Sequence, residues 1–152
     1  MPEKETIERA QEDAREGKSP GTQAGEFVRE EMHHVREGKH GAASTQQAIA
    51  IGLSKARRAG VKLPTPRQGQ AAEQTIKQAR RDDRKGRAHS SSKPSATRSR
   101  ATLQALKKEG HRAASHGSLS RQARTAAKKR SAAARRNSAV KASQTRKRTT
   151  KS

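Results

Sequence analysis

The chain contains no cysteine, tryptophan or tyrosine, and Phe27 is its single aromatic residue. Without cysteine it has no disulfide scaffold, no thiol nucleophile and no cysteine-ligated zinc. Modules that bind RNA or single-stranded nucleic acid commonly stack bases on aromatic side chains, so such modules are disfavoured here. Arginine can also stack on bases, which keeps RNA open as a ligand.

Long hydrophobic runs are missing as well. No apolar stretch approaches the ~20 residues that a membrane-spanning helix needs, and the mixed-charge start of the chain lacks the pattern of a secretory signal. The sequence therefore predicts a cytoplasmic protein with no membrane partner. Hydrophobic residues make up 28% of the chain and are sparse after Pro64, so we expect a small core confined to residues 1–64.

Acidic residues are absent from Gly110 to Ser152, and this absence is the most informative feature of the sequence. Residues 1–64 carry 11 Lys/Arg against 10 Asp/Glu, whereas residues 65–152 carry 25 against 4. The second part therefore holds +21 of the net charge of +22. A stretch with one sign of charge repels itself unless a polyanion neutralises it, and nucleic acid is the most abundant polyanion in a cell.

Apolar spacing and capping residues predict helices near the start of the chain. The first runs from Glu3 to Glu16, and Gly17 follows it as the residue that ends the helix. The second runs from about Pro20 to Glu37, with Ser19 as its N-cap and proline at its first position.

The clearest helix of the sequence is predicted from Thr45 to Ala59. Ser44 and Gln47 have the capping-box spacing at its start, and Gly60 is placed to end it in the left-handed conformation. Small residues at intervals of four would let another helix approach closely: Ala48, Gly52 and Ala56.

The sequence predicts an all-α protein in three segments. Residues 1–64 form a near-neutral module of two or three helices, residues 65–95 a weakly helical basic segment and linker, and residues 96–152 a cationic tail. The tail is expected to be largely disordered or transiently helical, because it has few apolar residues to bury. Within it, Ser99–Lys108 is similar to Ser120–Lys129 at an offset of 21 residues, which is a weak internal repeat.

No sequence feature is typical of an enzyme. The chain has no Gly-rich phosphate loop and no nucleophile elbow, and its composition offers no apolar pocket for a catalytic group. The neighbouring carboxylates Asp82 and Asp83 would diverge on a helix. We therefore predict a non-enzymatic protein without catalytic residues or cofactor.

The histidines of the second helix do not predict a metal site. His33 and His34 are adjacent and would point about 100° apart on a helix, and His40 lies in the following loop. Three nearby glutamates are interpreted as surface charge on an amphipathic helix: Glu30, Glu31 and Glu37. We therefore predict no metal ligands.

The basic residues of the tail are the predicted binding site for nucleic acid. On one continuous helix, four of them would share a side: Arg121, Arg124, Lys128 and Arg135. Their expected partners are the phosphates of duplex DNA, without readout of bases. The full predicted set comprises Arg98, Arg100, Lys107, Lys108, Arg112, Arg121, Arg124, Lys128, Lys129, Arg130, Arg135, Arg136, Lys141, Arg146, Lys147 and Arg148.

The block from Gln47 to Gly60 reads Gln-Ala-Ile-Ala-Ile-Gly-Leu-Ser-Lys-Ala-Arg-Arg-Ala-Gly. Together with the turn from Gly38 to Gly41, it resembles a family of small bacterial proteins of unknown function. Longer members of that family carry Lys/Arg/Ala-rich tails like residues 93–152, which are similar in composition to linker-histone tails. The resemblance implies a bacterial, cytoplasmic protein and supplies no catalytic residues.

These features predict a sequence-tolerant DNA-binding protein that is nucleoid-associated or linker-histone-like. One alternative is a protein-interaction adaptor, in which residues 1–64 bind a partner or self-associate while the tail localises the protein to nucleic acid. A second alternative is an RNA- or ribosome-associated basic protein.

Overall fold

The computed structural model of the chain describes residues 2–88 and 95–149. This part contains seven α-helices, one short 3-10 helix and no strand, which confirms the predicted all-α class. The elements are α1 (Lys4–Arg15), α2 (Pro20–Arg36), α3 (Thr45–Arg58), α4 (Glu73–Arg87), α5 (Ala96–Lys107), the 3-10 helix (Arg112–Ala114), α6 (His116–Lys128) and α7 (Ala132–Thr149). Contacts divide the chain into a first unit, Met1–Ser115, and a second unit, His116–Ser152.

The starts of α2 and α3 follow the predicted capping residues. The Ser19 hydroxyl accepts a hydrogen bond from the Thr22 N–H at 3.3 Å, and the Ser44 hydroxyl accepts one from the Gln47 N–H at 3.1 Å. The Gln47 side chain accepts from the N–H of Ala43 at 2.7 Å. In a standard capping box it would accept from the N–H of the N-cap residue, which here is Ser44.

The core of the first unit lies between α1, α2 and α3. Its buried cluster comprises Ala10, Ala24, Phe27 and Ala56, and four partly buried residues pack against it: Ile7, Leu53, Val61 and Leu63. The small residues of α3 are buried as predicted. At Gly52, α3 approaches α2 so closely that a Cβ would lie 2.7 Å from the Cα of Val28.

The first unit extends well beyond residue 64, so the prediction of a two- to three-helix module is wrong. The main buried cluster lies within residues 1–64, as predicted, but further apolar residues beyond it are also buried. Helix α4 packs on α3 and buries Ile76 and Ala79 against it. The buried Asp82 carboxylate accepts from the Ser54 hydroxyl at 2.7 Å and from Arg58 Nε at 2.8 Å. Buried polar contacts thus supplement an apolar face that is thin in the sequence.

The segment from Leu106 to Ser115 also belongs to the first unit. Ala113 and Ala114 are buried. Four hydrogen bonds join the segment to the end of α2, the following loop and the start of α3: Gly41 N–H to Leu106 O at 2.9 Å, Ala42 N–H to Gly110 O at 3.1 Å, Thr45 Oγ1 to Ala113 O at 2.6 Å and Arg36 Nε to Ala114 O at 2.9 Å. These contacts are consistent with a first unit that ends at Ser115.

The tail is helical in the structure, where the sequence predicted a largely disordered or transiently helical segment. Alanine is the best helix former, and α5, α6 and α7 are rich in it. The two copies of the weak repeat both lie in helices, and α5 and α6 end at its equivalent residues Lys107 and Lys128. Residues 89–94, part of the predicted linker, lie outside the described residues.

Candidate nucleic-acid interface and buried polar cluster

Fifteen of the sixteen predicted nucleic-acid-binding residues have exposed side chains, and the side chain of the sixteenth, Arg148, lies outside the description. In the first unit, Arg98, Arg100 and Lys107 lie on α5, Lys108 follows it, and Arg112 begins the 3-10 helix. In the second unit, Arg121, Arg124 and Lys128 lie on α6, Lys129 and Arg130 lie between the helices, and the remaining six lie on α7. The second unit buries no side chain among residues 116–147.

The basic face of α6 is the most regular part of this set. Arg121, Arg124 and Lys128 are spaced i, i+3 and i+7 on one helix, so they share a side. The Nη2 of Arg121 donates to the hydroxyl of Ser118 at 3.1 Å. This bond holds one end of the face near the start of α6.

Arg135 does not continue that face, which corrects the predicted four-residue stripe. Helix α6 ends at Lys128 and α7 begins at Ala132. The hydroxyl of Ser131 accepts from the N–H of Ala134 at 3.1 Å and so acts as the N-cap of a new helix. The continuous helix that the stripe required is therefore interrupted.

Basic residues surround α7 instead of forming one face. At 3.6 residues per turn, Arg135 and Arg146 share a side of the helix, and Arg136 is about 100° from that side. Lys141 points away from all three. At its start, Arg130 Nη2 donates to the carbonyl of Ala134 at 3.0 Å and also contacts the Ser138 hydroxyl. The Arg130 guanidinium thus stabilises the beginning of α7.

Helix α4 carries a second basic surface, which the prediction from residues 96–152 missed. An open groove of about 500 Å³ is lined by Thr65, Lys77, Arg80, Arg81, Asp83, Arg84 and Arg87. Five of these residues are cations at i, i+3, i+4, i+7 and i+10, and the opposite side of α4 is buried on α3. That spacing was readable in the sequence, and the buried positions Ile76 and Ala79 determine which side of α4 is exposed.

The charges along this groove are unevenly paired. Lys77 Nζ lies 2.8 Å from Glu73 Oε1. Asp83 is directed toward α3 and the segment after it, 3.4 Å from Arg57 Nε and 3.1 Å from the Thr65 hydroxyl. Asp82 and Asp83 both contact residues of α3, so the outer face of α4 carries mainly cations.

A buried polar cluster lies between α2 and α3 of the first unit. Glu30 is 4% exposed and Glu31 is fully buried, so the interpretation of these two residues as surface charge is wrong. Lys55 Nζ lies 2.9 Å from Glu30 Oε1 and 2.8 Å from Glu31 Oε2. Glu37 is exposed, as that interpretation expected.

Contacts within the buried polar cluster favour the charged forms of Lys55 and Glu30. Burial opposes the charge on Lys55, but the two carboxylates outweigh it and raise the pKa of the amine above its ordinary 10.5. Burial also opposes the charge on Glu30, yet bonds from Lys55, the Glu3 backbone and Thr6 outweigh it and hold the pKa of the carboxyl below 4.5. The pKa of Glu3 is lowered by hydrogen bonds from His34 and Lys39.

His40 joins this cluster, contrary to the expectation that the histidines do not converge. The N–H groups of Gly38 and Lys39 bond back to Val35 O at 3.3 Å and His34 O at 3.0 Å, and Gly38 has φ +74°. After this turn, the rings of His34 and His40 lie edge to face, with centroids 6.0 Å apart. One ligand atom each of His34, His40 and Glu31 lies within 4.8 Å of the others.

The expectation holds for His33, which is exposed on another side of α2. Glu31 and His34, unlike the adjacent histidines, are spaced i, i+3 and share a helix face. That spacing, together with Gly38 two residues before His40, is the sequence feature from which this convergence could have been predicted.

None of the helices in the described part of the chain is long and apolar enough to cross a membrane.

A family described as being of unknown function, DUF6496, matches residues 15–68, a little over a third of the chain. No curated protein and no solved structure matches the chain.

The family match covers α2, α3 and the loop between them. It confirms a resemblance to an uncharacterised family over those residues, while a bacterial origin and the character of the tail stay predictions. The matched residues include Glu31, His34 and His40 and none of the predicted nucleic-acid-binding residues.

Proposed function

We propose that this protein is non-enzymatic and binds duplex DNA through its phosphate backbone, without readout of base sequence. The observation that carries the proposal is the second unit, where exposed Lys and Arg residues cover helices that bury no side chain. From Gly110 to Ser152 the sequence has 13 Lys/Arg and no Asp/Glu. Phosphates would offset the repulsion among these cations, and nothing within the segment does.

The spacing on α6 suits a dense row of phosphates. Arg121 and Lys128 are seven residues apart, which is about 10 Å along a helix. Over that length duplex DNA presents about six charges, one per ~1.7 Å of its axis. Three cations on one face can therefore each find a phosphate without a particular base sequence. The cations around α7 favour the same mode of binding, because they select no single orientation.

The α4 groove supports the proposal as a separate basic surface of the first unit. Arg80, Arg81 and Arg84 are exposed there and form no ion pair within the described part of the chain. A second cationic surface would let one chain contact two DNA segments, as a nucleoid-associated or linker-histone-like protein does. In this role the protein acts in the cytoplasm of a bacterium, at the nucleoid.

A salt titration of full-length protein on duplex DNA tests the proposal. The slope of log K against log salt is about −0.9 per phosphate contact, so six to eight contacts predict a slope of roughly −5 to −7. The triple variant Arg121→Gln, Arg124→Gln, Lys128→Gln should make the slope shallower by about 3 units. It should weaken binding to two duplexes of unrelated sequence by similar factors, because phosphates carry no sequence information.

A matched control removes three charges from the near-neutral part of the chain: Arg15→Gln, Arg29→Gln and Lys62→Gln. These residues are exposed, and the control should leave the slope within about one unit of the wild-type value. A flat salt dependence, or a loss confined to one duplex, would contradict backbone binding. Tighter binding to RNA of equal length at the same salt would favour the RNA-associated alternative.

A further inference from the structure

The cluster of Glu31, His34 and His40 has a donor arrangement that the nucleic-acid proposal does not use. Glu31 and His34 lie one turn apart on α2, and the Gly38 turn returns His40 to them. One ligand atom from each lies within 4.8 Å of the other two. Two imidazoles and a carboxylate are a common donor set for transition-metal ions.

The hydrogen bond of His40 determines which of its nitrogens faces the cluster. His40 is 8% exposed, and its Nδ1 lies 3.1 Å from the carbonyl of Gly41, which can only accept. Nδ1 therefore carries the proton, and in the neutral ring Nε2 is an acceptor. A backbone carbonyl bound at Nδ1 is one of the common ways in which proteins orient a metal-binding imidazole.

Nε2 of His40 lies 3.3 Å from Oε1 of Glu31. Two acceptors facing each other at this distance, away from water, require a cation between or beside them. The Glu31 carboxylate is fully buried, and neither of its oxygens receives a hydrogen bond of good geometry in the described structure. The Lys55 ammonium compensates Oε2 at 2.8 Å and leaves Oε1 directed toward His40.

We propose that Glu31 Oε1, His40 Nε2 and one ring nitrogen of His34 bind a single divalent transition-metal ion, for which Zn²⁺ is the best match. Zn²⁺ accepts two imidazoles and a carboxylate, with water in a fourth position. Lys55 neutralises one of the two buried glutamates, so the cluster keeps one negative charge for the ion. A cleft of about 210 Å³, lined by Glu3, His33, His34 and Lys39 among others, opens on the His34 side of the cluster.

The ion would connect α2 to the loop that follows it, against which the segment from Leu106 to Ser115 packs. Gly41 and Ala42, directly after His40, donate their N–H groups to Leu106 and Gly110. Zn²⁺ at His40 would therefore restrain the loop on which the segment from Leu106 to Ser115 is docked. Its role is structural stabilisation of the first unit, independent of nucleic acid.

The test uses full-length, untagged protein treated with chelator and then titrated with ZnCl₂ by calorimetry. We expect one ion per chain and a rise in the midpoint of thermal unfolding with Zn²⁺ concentration. Co²⁺ should give the visible absorption of a four- or five-coordinate site. His34→Gln and His40→Gln should each weaken Zn²⁺ binding by about tenfold or more.

The matched control is His33→Gln, one residue from His34 but exposed on another side of α2. It should bind Zn²⁺ as the wild type does, and far-UV circular dichroism reports whether each variant is folded. If His40→Gln does not fold, His34→Gln decides the matter, because its side chain is at the edge of the cluster. Absence of Zn²⁺ binding, or an equal loss in the His33→Gln control, would overturn the proposal.

Discussion

Replacing Gly52 with alanine should destabilise the first unit, although alanine is the better helix former. Gly52 lies within α3, and a Cβ there would lie 2.7 Å from Cα and 3.0 Å from N of Val28 on α2. These are backbone atoms, so no rotation of a side chain relieves the contact. The helices would have to separate by about 1 Å to restore ordinary van der Waals distances.

The expected loss combines two opposing terms. Overpacking in a close-packed core costs about 1–3 kcal/mol, and a clash with backbone atoms belongs in the upper half of that range. Replacing glycine with alanine within a helix contributes about 1 kcal/mol in the opposite direction. The net expectation is a loss of about 1–2 kcal/mol, or about 4–8 °C in the midpoint of thermal unfolding.

Gly25→Ala is the matched control for Gly52→Ala. Gly25 is also within a helix, but it is exposed and a Cβ there would meet no atom within 4 Å. This variant should gain about 0.5–1 kcal/mol from helix propensity alone. The two alanine variants should therefore differ by about 1.5–3 kcal/mol, with opposite signs relative to the wild type.

Guanidinium denaturation followed by circular dichroism at 222 nm measures both variants. The chain has no tryptophan or tyrosine, so intrinsic fluorescence is not a useful probe. The cooperative part of the transition reports on the first unit, because the second unit buries no side chain among residues 116–147. Equal stability of the two variants would refute the close approach of α2 and α3.

Three further perturbations follow from the first unit. Leu53→Asp should abolish the cooperative melt followed by circular dichroism, because it loses about 2 kcal/mol or more of core packing and places a charge beside the buried cluster. The pKa of Glu30 is lowered in the fold, so its contribution to the free energy of unfolding is present above pH 4.5 and is lost as pH falls through the lower folded value. Glu30→Gln should reduce this loss of stability in acid, measured by denaturation curves at several pH values. Gly41→Ala would place a Cβ 2.0 Å from the Glu109 carbonyl and should release the segment from Leu106 to Ser115, measured as faster tryptic cleavage there.

Helix ends were predictable because they depend on neighbours within a few residues. Ser19 and Ser44 cap helices whose first turns lie directly after them. Gly38 and Gly60 end α2 and α3 with positive φ, of +74° and +95°. The hydroxyl of Ser131 caps α7 in the same local way, so the boundary between α6 and α7 was also predictable from the sequence.

The docking of α4 was not predictable from apolar spacing. Its buried face carries Asp82, whose partners Ser54 and Arg58 lie 28 and 24 residues away. Gly86 lies so close to α3 that a Cβ there would be 2.1 Å from the carbonyl of Arg57. Buried hydrogen bonds and glycine contacts have no periodic signature, so a hydrophobicity pattern cannot reveal them.

The sequence alone determined the distribution of charge, since no fold changes the absence of acidic residues after Glu109. It also determined the helical character of the chain, because propensity and capping are local properties. Only the tertiary structure decided that Glu31 is buried and that His40 returns to it. Burial and convergence depend on how α2, α3 and the Gly38 turn pack in space, and that packing joins residues which the sequence keeps apart.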